Sequence, residues 1–171
     1  MKNIILVGFM GTGKTTIAKH ISKITGMRYI STDDLIEKKE KLSIKDIFET
    51  KGESFFRKAE KDVIKKVSSE QSVIIDAGGG VVIDPENIKN LKSNGIIVCL
   101  WSDPKDILKR TKQHGHRPLL NVDDPLGKIS ELLNSRKQYY ERSDLYINTS
   151  TLSIEEAVRS IIESFKKKEN E

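Results

Sequence analysis

Eight residues near the start of the chain constrain its fold most. Gly8-Phe9-Met10-Gly11-Thr12-Gly13-Lys14-Thr15 satisfies the pattern G-x-x-x-x-G-K-[ST]. It lies between an apolar run, Asn3–Val7, and an amphipathic stretch that begins at Thr15. In that strand-to-helix setting the pattern reads as a phosphate-binding loop. Glycines let the backbone turn and carry N–H groups to phosphate oxygens. The N-terminus of the following helix adds a partial positive charge. Lys14 is expected to bridge the β- and γ-phosphates of a nucleotide, and the Thr15 hydroxyl to ligate Mg2+.

The rest of the chain supplies the frame such a loop needs. Short β-branched runs at Asn3–Val7, Tyr29–Ile30, Val73–Ile75, Ile96–Trp101 and Leu145–Ile147 are strand candidates. Most are apolar at successive positions, as expected when both faces of a sheet are covered. Between them lie stretches with apolar residues three and four apart. Ile17, Ile21 and Ile24 form one such face, and Phe56, Ala59, Val63 and Val67 a second. Ile154, Ala157, Val158, Ile161, Ile162 and Phe165 form a third, opened by a capping box from Ser153 to Glu156. Asp84-Pro85, Asp103-Pro104 and Asp124-Pro125 each read as an N-cap followed by proline in the first turn. Strands alternating with helices across short loops predict a parallel α/β sheet.

At 171 residues the chain is expected to form a single domain, spanning 1–171, with fraying from about Lys166. The longest strongly apolar run, Ile96–Trp101, is far shorter than the ~20 residues of a membrane span. No basic-then-apolar leader precedes the first strand, and the lone Cys99 has no internal disulfide partner; both point to the cytoplasm. Basic residues outnumber acidic ones by 30 to 25, a net charge of +5. Aromatic residues are only 6% and no groove-reading element appears, so the basic excess points to small anionic ligands rather than nucleic acid.

Other residues suggest what receives the phosphate. Ser31-Thr32-Asp33-Asp34 follows the second strand, where ligands bind in such sheets. Asp33 could orient an acceptor hydroxyl and take its proton, while Asp34 is expected to cap the helix through Leu35 and Ile36. Arg57, beside Phe55 and Phe56, could present its fork to a carboxylate from a partly apolar wall. Gly78-Gly79-Gly80 after a strand permits close approach of backbone to a ligand. Lys109, Arg110, Lys112 and Arg117 concentrate positive charge around His114-Gly115-His116, as in a kinase lid whose arginine reaches the γ-phosphate. Three readings remain open on these residues. A small-molecule kinase is one. A GTPase-like switch is suggested by Asp76-Ala77-Gly78-Gly79 but lacks the guanine-reading N-K-x-D, and an inactive nucleotide-binding module is the third.

Taken together, these motifs resemble those of shikimate kinases. The likeness runs over roughly residues 3–165, through the phosphate loop, Asp33, Asp46-Ile47-Phe48, Gly52-Glu53, Phe55-Phe56-Arg57, Gly78-Gly79-Gly80, Arg117-Pro118-Leu119-Leu120 and Arg136 followed by Tyr140. The resemblance implies a three-layer α/β/α P-loop kinase fold. A five-stranded parallel sheet would carry a helical substrate-binding segment at approximately 31–60 and a lid at approximately 109–124. It also implies ATP-dependent phosphorylation of the 3-hydroxyl of shikimate in aromatic amino acid synthesis, with gluconate or another hydroxy acid as the nearest competing acceptor.

Under the resemblance Asp33, Lys14 and Arg117 are catalytic. Gly11, Thr12, Gly13, Lys14, Thr15, Thr16, Arg110 and Arg117 bind ATP, with Arg110 packing on adenine. Arg57 and Arg136 clamp the shikimate carboxylate, Gly79 and Gly80 donate to the ring hydroxyls, and Phe48, Phe56 and Leu119 form apolar walls. The implied partners are ATP, Mg2+ and shikimate, acting on a monomer.

Two positions depart from the family pattern. The family reads D-x-D after the second strand, where this chain reads Ser31-Thr32-Asp33. Asp76, at the end of the third strand candidate, stands where the family has a small polar residue, so the magnesium-side carboxylate is expected to have moved from position 31 to Asp76. In the presumed adenine loop, Asn148–Ile154, a family proline is replaced by Ile154.

Overall fold

The structure is a computed structural model that describes residues 2–113, 120 and 122–169. Five strands form one parallel sheet: β1 (Asn3–Gly8), β2 (Arg28–Ser31), β3 (Val73–Asp76), β4 (Gly95–Trp101) and β5 (Leu145–Asn148), in the order β2-β3-β1-β4-β5. The helices are α1 (Lys14–Thr25), α2 (Thr32–Glu40), α3 (Ile44–Val67), α4 (Pro85–Ser93), α5 (Pro104–Gln113), α6 (Pro125–Tyr140) and α7 (Ile154–Glu169). Every strand contains its sequence candidate and extends it by one or two residues. The additions are mostly polar or glycine, such as Ser31, Asp76 and Asn148, and carry no hydrophobic signal. They are held in the ladder by register, Ser31 against Asp76 and Trp101 against Asn148.

Continuous apolar strands follow from two cores, one on each sheet face. Ile5, Val7, Ile75, Ile97 and Cys99 point to a core closed by α3, α4 and the start of α2. Ile4, Leu6, Ile74, Val98 and Leu100 point the other way, under α1 and α7. Successive side chains on a strand alternate faces, so both sets must be apolar. Ile24 departs from expectation. It lies in the last turn of α1, which Gly26 caps, and is 65% exposed, leaving Ile17, Ala18 and Ile21 as the buried face. Ile154 likewise stands exposed at the first residue of α7, one position past the Ser153 cap, while Ala157, Val158, Ile161 and Phe165 fill the core.

Helix ends are set locally. Asp84 and Asp124 cap α4 and α6 by accepting from Glu86 N and Gly127 N. Ser153 and Glu156 complete the capping box, at 3.2 and 2.8 Å. The start of α2 differs from expectation: Ser31, not Asp34, is the N-cap. Its hydroxyl accepts from Asp34 N at 3.1 Å. The helix begins one residue after β2 ends, so the cap falls three positions upstream and Asp34 joins the first turn. Gly52, at φ 81° and ψ 171°, breaks α3 into two parts.

All five strands point their C-terminal ends to one edge, where β1 has β3 on one side and β4 on the other. That reversal of chain order is the crevice in which such sheets bind ligands.

Candidate active site

A cleft of about 890 Å³ opens at this edge, lined by the phosphate loop and by Asp33, Arg57, Glu60, Asp76, the glycine triplet, Arg110 and Arg136. The loop leaves β1 at Gly8, where φ is +143° and an added Cβ would collide with the Leu100 carbonyl of β4. Gly11 and Gly13 also have positive φ. Thr12, fully buried, ties the loop down by donating to the Phe9 carbonyl at 2.7 Å. Lys14 donates to the Gly8 and Phe9 carbonyls at 2.8 and 3.1 Å, which holds its ammonium over the loop. Thr16 also lines the cleft.

Beside the loop, Thr15 Oγ1 donates to Asp76 Oδ2 at 2.6 Å, and the Tyr29 hydroxyl donates to the same oxygen at 3.1 Å. Register places Ser31 directly across from Asp76, so positions 31 and 76 are neighbours at the end of adjoining strands. Among the described residues no cluster of three metal-ligating side chains exists. One hydroxyl and one carboxylate suit Mg2+, a hard cation that keeps several waters and takes phosphate oxygens.

The opposite wall gathers charged groups around the glycines. An added Cβ at Gly78 would stand 3.1 Å from both Asp33 Oδ1 and Glu60 Oε1. At Gly80 it would stand 2.5 Å from the Arg57 guanidinium, and at Gly79 it would stand 3.6 Å from that of Arg136. The triplet therefore clears space for Asp33, Glu60 and Arg57, three charged side chains of the protein itself, while at Gly79 the tight neighbour is the Gly8 carbonyl at 3.2 Å. It is anchored by Tyr140, which donates to the Gly79 carbonyl at 2.9 Å, and by Gly78 N, which donates to Thr32 Oγ1 at 3.2 Å. Asp33 opens onto the cleft, but the protein around it displaces bulk water. This pushes its carboxyl above the ordinary range, against the pull of Lys14 and with a further push from Asp76.

Glu60 is the functional candidate that sequence reasoning missed. Its side chain is 2% exposed and accepts from Arg57 at 2.9 Å, three residues earlier on α3. Burial raises its carboxyl, opposed first by Arg57 and more weakly by Arg136, while nearby Asp33 raises it further. The signal was available: an acid inside the apolar stripe of Phe56, Ala59 and Val63, one turn from Arg57. Tyr29 was missed too, because an aromatic at a strand edge carries no chemistry until its hydroxyl is placed.

The Arg136 guanidinium lies over the Phe9 ring, 5.5 Å from its centroid, and that of Arg57 lies over Phe56 at 5.2 Å. Phe56 and Phe48 pack with centroids 4.7 Å apart, but only Phe56 lines the cleft; Phe48 is 37% exposed. Arg110 donates to the Gly11 carbonyl, Ser102 Oγ, Thr149 Oγ1 and the Thr149 carbonyl at 2.8–3.2 Å. It thereby joins α5 to the phosphate loop and to the loop after β5. Leu152 and Ser153 of that loop and Ile154 at the start of α7 also line the cleft. Arg117 and Leu119 lie outside the described residues, whereas Leu120 packs on a small cluster with Phe9, Ile107 and Ile129.

A family model described as "Shikimate kinase" matches residues 10–166. The chain belongs to the shikimate kinase family. A shikimate kinase from Caldicellulosiruptor saccharolyticus is 46% identical over 170 residues, 99% of this chain and 99% of its own. One from Thermodesulfovibrio yellowstonii is 42% identical, covering 99% of this chain and 98% of its own. The solved shikimate kinase from Acinetobacter baumannii, in complex with shikimate, superposes with a TM-score of 0.91 at 33% identity, over 98% of this chain and 94% of its own. Shikimate kinases are phosphotransferases with an alcohol acceptor and ATP as co-substrate, which favours the kinase among the readings left open by the phosphate loop. The five-stranded parallel sheet with its P-loop is the fold expected of this family. Among the described residues no helix is long and apolar enough to cross a membrane.

Proposed function

We propose that this member of the shikimate kinase family moves the γ-phosphoryl group of ATP to the 3-hydroxyl of shikimate, with Mg2+, in the cleft above the sheet. What carries the reading is that one cleft holds a phosphate loop at one end and, at the other, two guanidinium groups with Asp33 between glycine backbone and Lys14. Arg57 and Arg136 grip the carboxylate of the acceptor, and two forks fix its orientation as well as its affinity. Gly79 and Gly80 offer backbone N–H groups to the ring hydroxyls, and Phe56 supplies an apolar wall.

Asp33 accepts the proton of the attacking hydroxyl. A carboxyl raised by burial suits that task better than an ordinary one. The acceptor oxygen bonds to the γ-phosphorus, the bond from that phosphorus to the β–γ bridging oxygen breaks, and ADP departs with the electron pair. Lys14 stands where charge spreads over the transferring group. Thr15 and Asp76 would hold Mg2+, which neutralises the β- and γ-oxygens when bound. The assigned role of Arg117 is to the phosphates, and that of the segment at approximately 109–124 is a lid that excludes water; Arg117 itself lies outside the described residues. Arg110, held by protein acceptors at both terminal nitrogens, offers adenine its planar face. Residues 31–60 form the acceptor segment of one domain, which works as a monomer in the cytoplasm.

The test is a panel of hydroxy acids, including shikimate and gluconate, with ATP and Mg2+, followed by ADP release. Turnover with shikimate far above the rest is expected; equal turnover with gluconate refutes the acceptor assignment. Arg136→Ala should raise KM for shikimate far more than for ATP.

A further inference from the structure

Tyr29 enters neither the phosphate loop nor the acceptor wall, yet it lines the cleft and its hydroxyl donates to Asp76 Oδ2 at 3.1 Å. Strand geometry explains how. Tyr29 and Ser31 occupy the same face of β2, two residues apart, and Asp76 lies opposite Ser31 on β3. Tyr29 is itself paired with Ile74, so its ring reaches diagonally along the sheet, a span within reach of an aromatic side chain. The ring is also held from outside by Lys19, whose ammonium lies 5.6 Å from its centroid.

Thr15 donates to that same Asp76 oxygen at 2.6 Å, from α1. The two donors come from different elements and converge on one atom, so together they fix the rotamer of a short side chain at a strand end. The orientation matters for Thr15. A hydroxyl has one hydrogen and two lone pairs. While Asp76 takes the hydrogen, a lone pair of Thr15 is turned toward the cleft for a cation. Ser31, whose hydroxyl caps α2 by accepting from Asp34 N, has no carboxylate to offer in its place.

We propose that Tyr29 is a positioning residue for the cation end of the nucleotide site, its phenol holding the Asp76 carboxylate where it accepts from Thr15. A phenol keeps its proton at neutral pH, so the hydroxyl is a donor there. The inference rests on the proposed assignment of Thr15 and Asp76 to Mg2+.

The experiment measures ADP binding to the full chain by calorimetry, in EDTA and across a series of Mg2+ concentrations. Tyr29→Phe keeps the ring and its contact with Lys19 and removes only the hydroxyl. Its ADP affinity in EDTA should equal that of the unaltered protein. The Mg2+ concentration giving half of the full tightening should rise about three- to tenfold, below the effect of losing a direct bond to a charged group. Asp76→Ser should raise it further, and adding Tyr29→Phe to Asp76→Ser should change nothing more.

If Tyr29→Phe leaves the Mg2+ dependence in place while Asp76→Ser shifts it, the role of Tyr29 is refuted and the cation assignment stands. If Asp76→Ser shifts nothing, the cation assignment falls and takes this inference with it. If the two effects add in full, or Tyr29→Phe weakens ADP equally in EDTA, the phenol acts on something other than Asp76 and the proposal is overturned.

Discussion

Removing Arg57 should do two separable kinds of damage. The first is to binding: one of two forks for the acceptor carboxylate is lost. The second is to the fold. Glu60 is 2% exposed and Arg57, at 2.9 Å, is 31% exposed, so Arg57→Ala strands a buried carboxylate. Breaking a fully buried pair costs 3–5 kcal/mol, and partial access of water to Arg57 brings this to about 2 kcal/mol. For a chain of this length that lowers Tm by about 4–8 °C. The loss carries a pH signature. Glu60 already titrates above its unfolded value, so the folded chain binds its proton more tightly than the unfolded one. Such a group penalises the fold only as pH rises through the unfolded and then the folded value. Without Arg57 the folded value rises further and the penalty grows. The Tm deficit of Arg57→Ala should therefore be small near about pH 5 and widen toward about pH 8. Adding Glu60→Gln should recover most of the lost Tm while KM for shikimate stays high. Thermal melts at several pH values, with coupled ADP-release kinetics, read both effects. A deficit that is flat across that range, or no recovery with Glu60→Gln, would refute the argument that Glu60 is stranded.

Asp33→Asn should lower kcat by about 10²–10⁴ with little change in KM for ATP, as loss of a proton acceptor does; a similar fall in ATP affinity would point instead to a nucleotide role. In the unaltered enzyme the rate should fall on acidification through a value above that of an ordinary aspartate, because Asp33 must be ionised to accept the proton. Lys14→Ala should cripple kcat, and near-normal turnover would remove it from the phosphate site. Gly80→Ala sets a methyl 2.5 Å from the Arg57 guanidinium, which pairs with buried Glu60 at 2.9 Å, so it should raise KM for the acceptor and lower Tm by less than Arg57→Ala does; an unchanged KM would show that Arg57 does not meet the acceptor. Cys99, buried and with its thiol pushed up to about 12, should resist thiol reagents until the chain is unfolded, as a labelling time course would report.

The phosphate loop was legible because its chemistry is carried by backbone and by residues adjacent in the chain. A Gly-rich turn between an apolar run and an amphipathic one allows few folds, and periodicity located every strand. Helix faces were readable in their middles and misread at their ends. Ile24 and Ile154 keep the spacing of a buried stripe, but burial depends on what another element covers. Asp34 failed as a cap because the choice between neighbouring polar residues depends on where β2 stops.

The acceptor wall was only partly legible. Arg57, Arg136 and the glycine triplet stood out as residue types, yet their spacing in sequence says nothing of distance in space. The sequence alone determined a parallel sheet carrying a phosphate loop, since covalent neighbours and hydrophobic period suffice for that. Tertiary structure alone decided that Glu60 is buried beside Arg57, its neighbour one turn away on α3, and that Tyr29 and Thr15 share one oxygen of Asp76. The Asp76 contacts join residues from different elements, and only the order and register of the strands bring them within hydrogen-bonding distance.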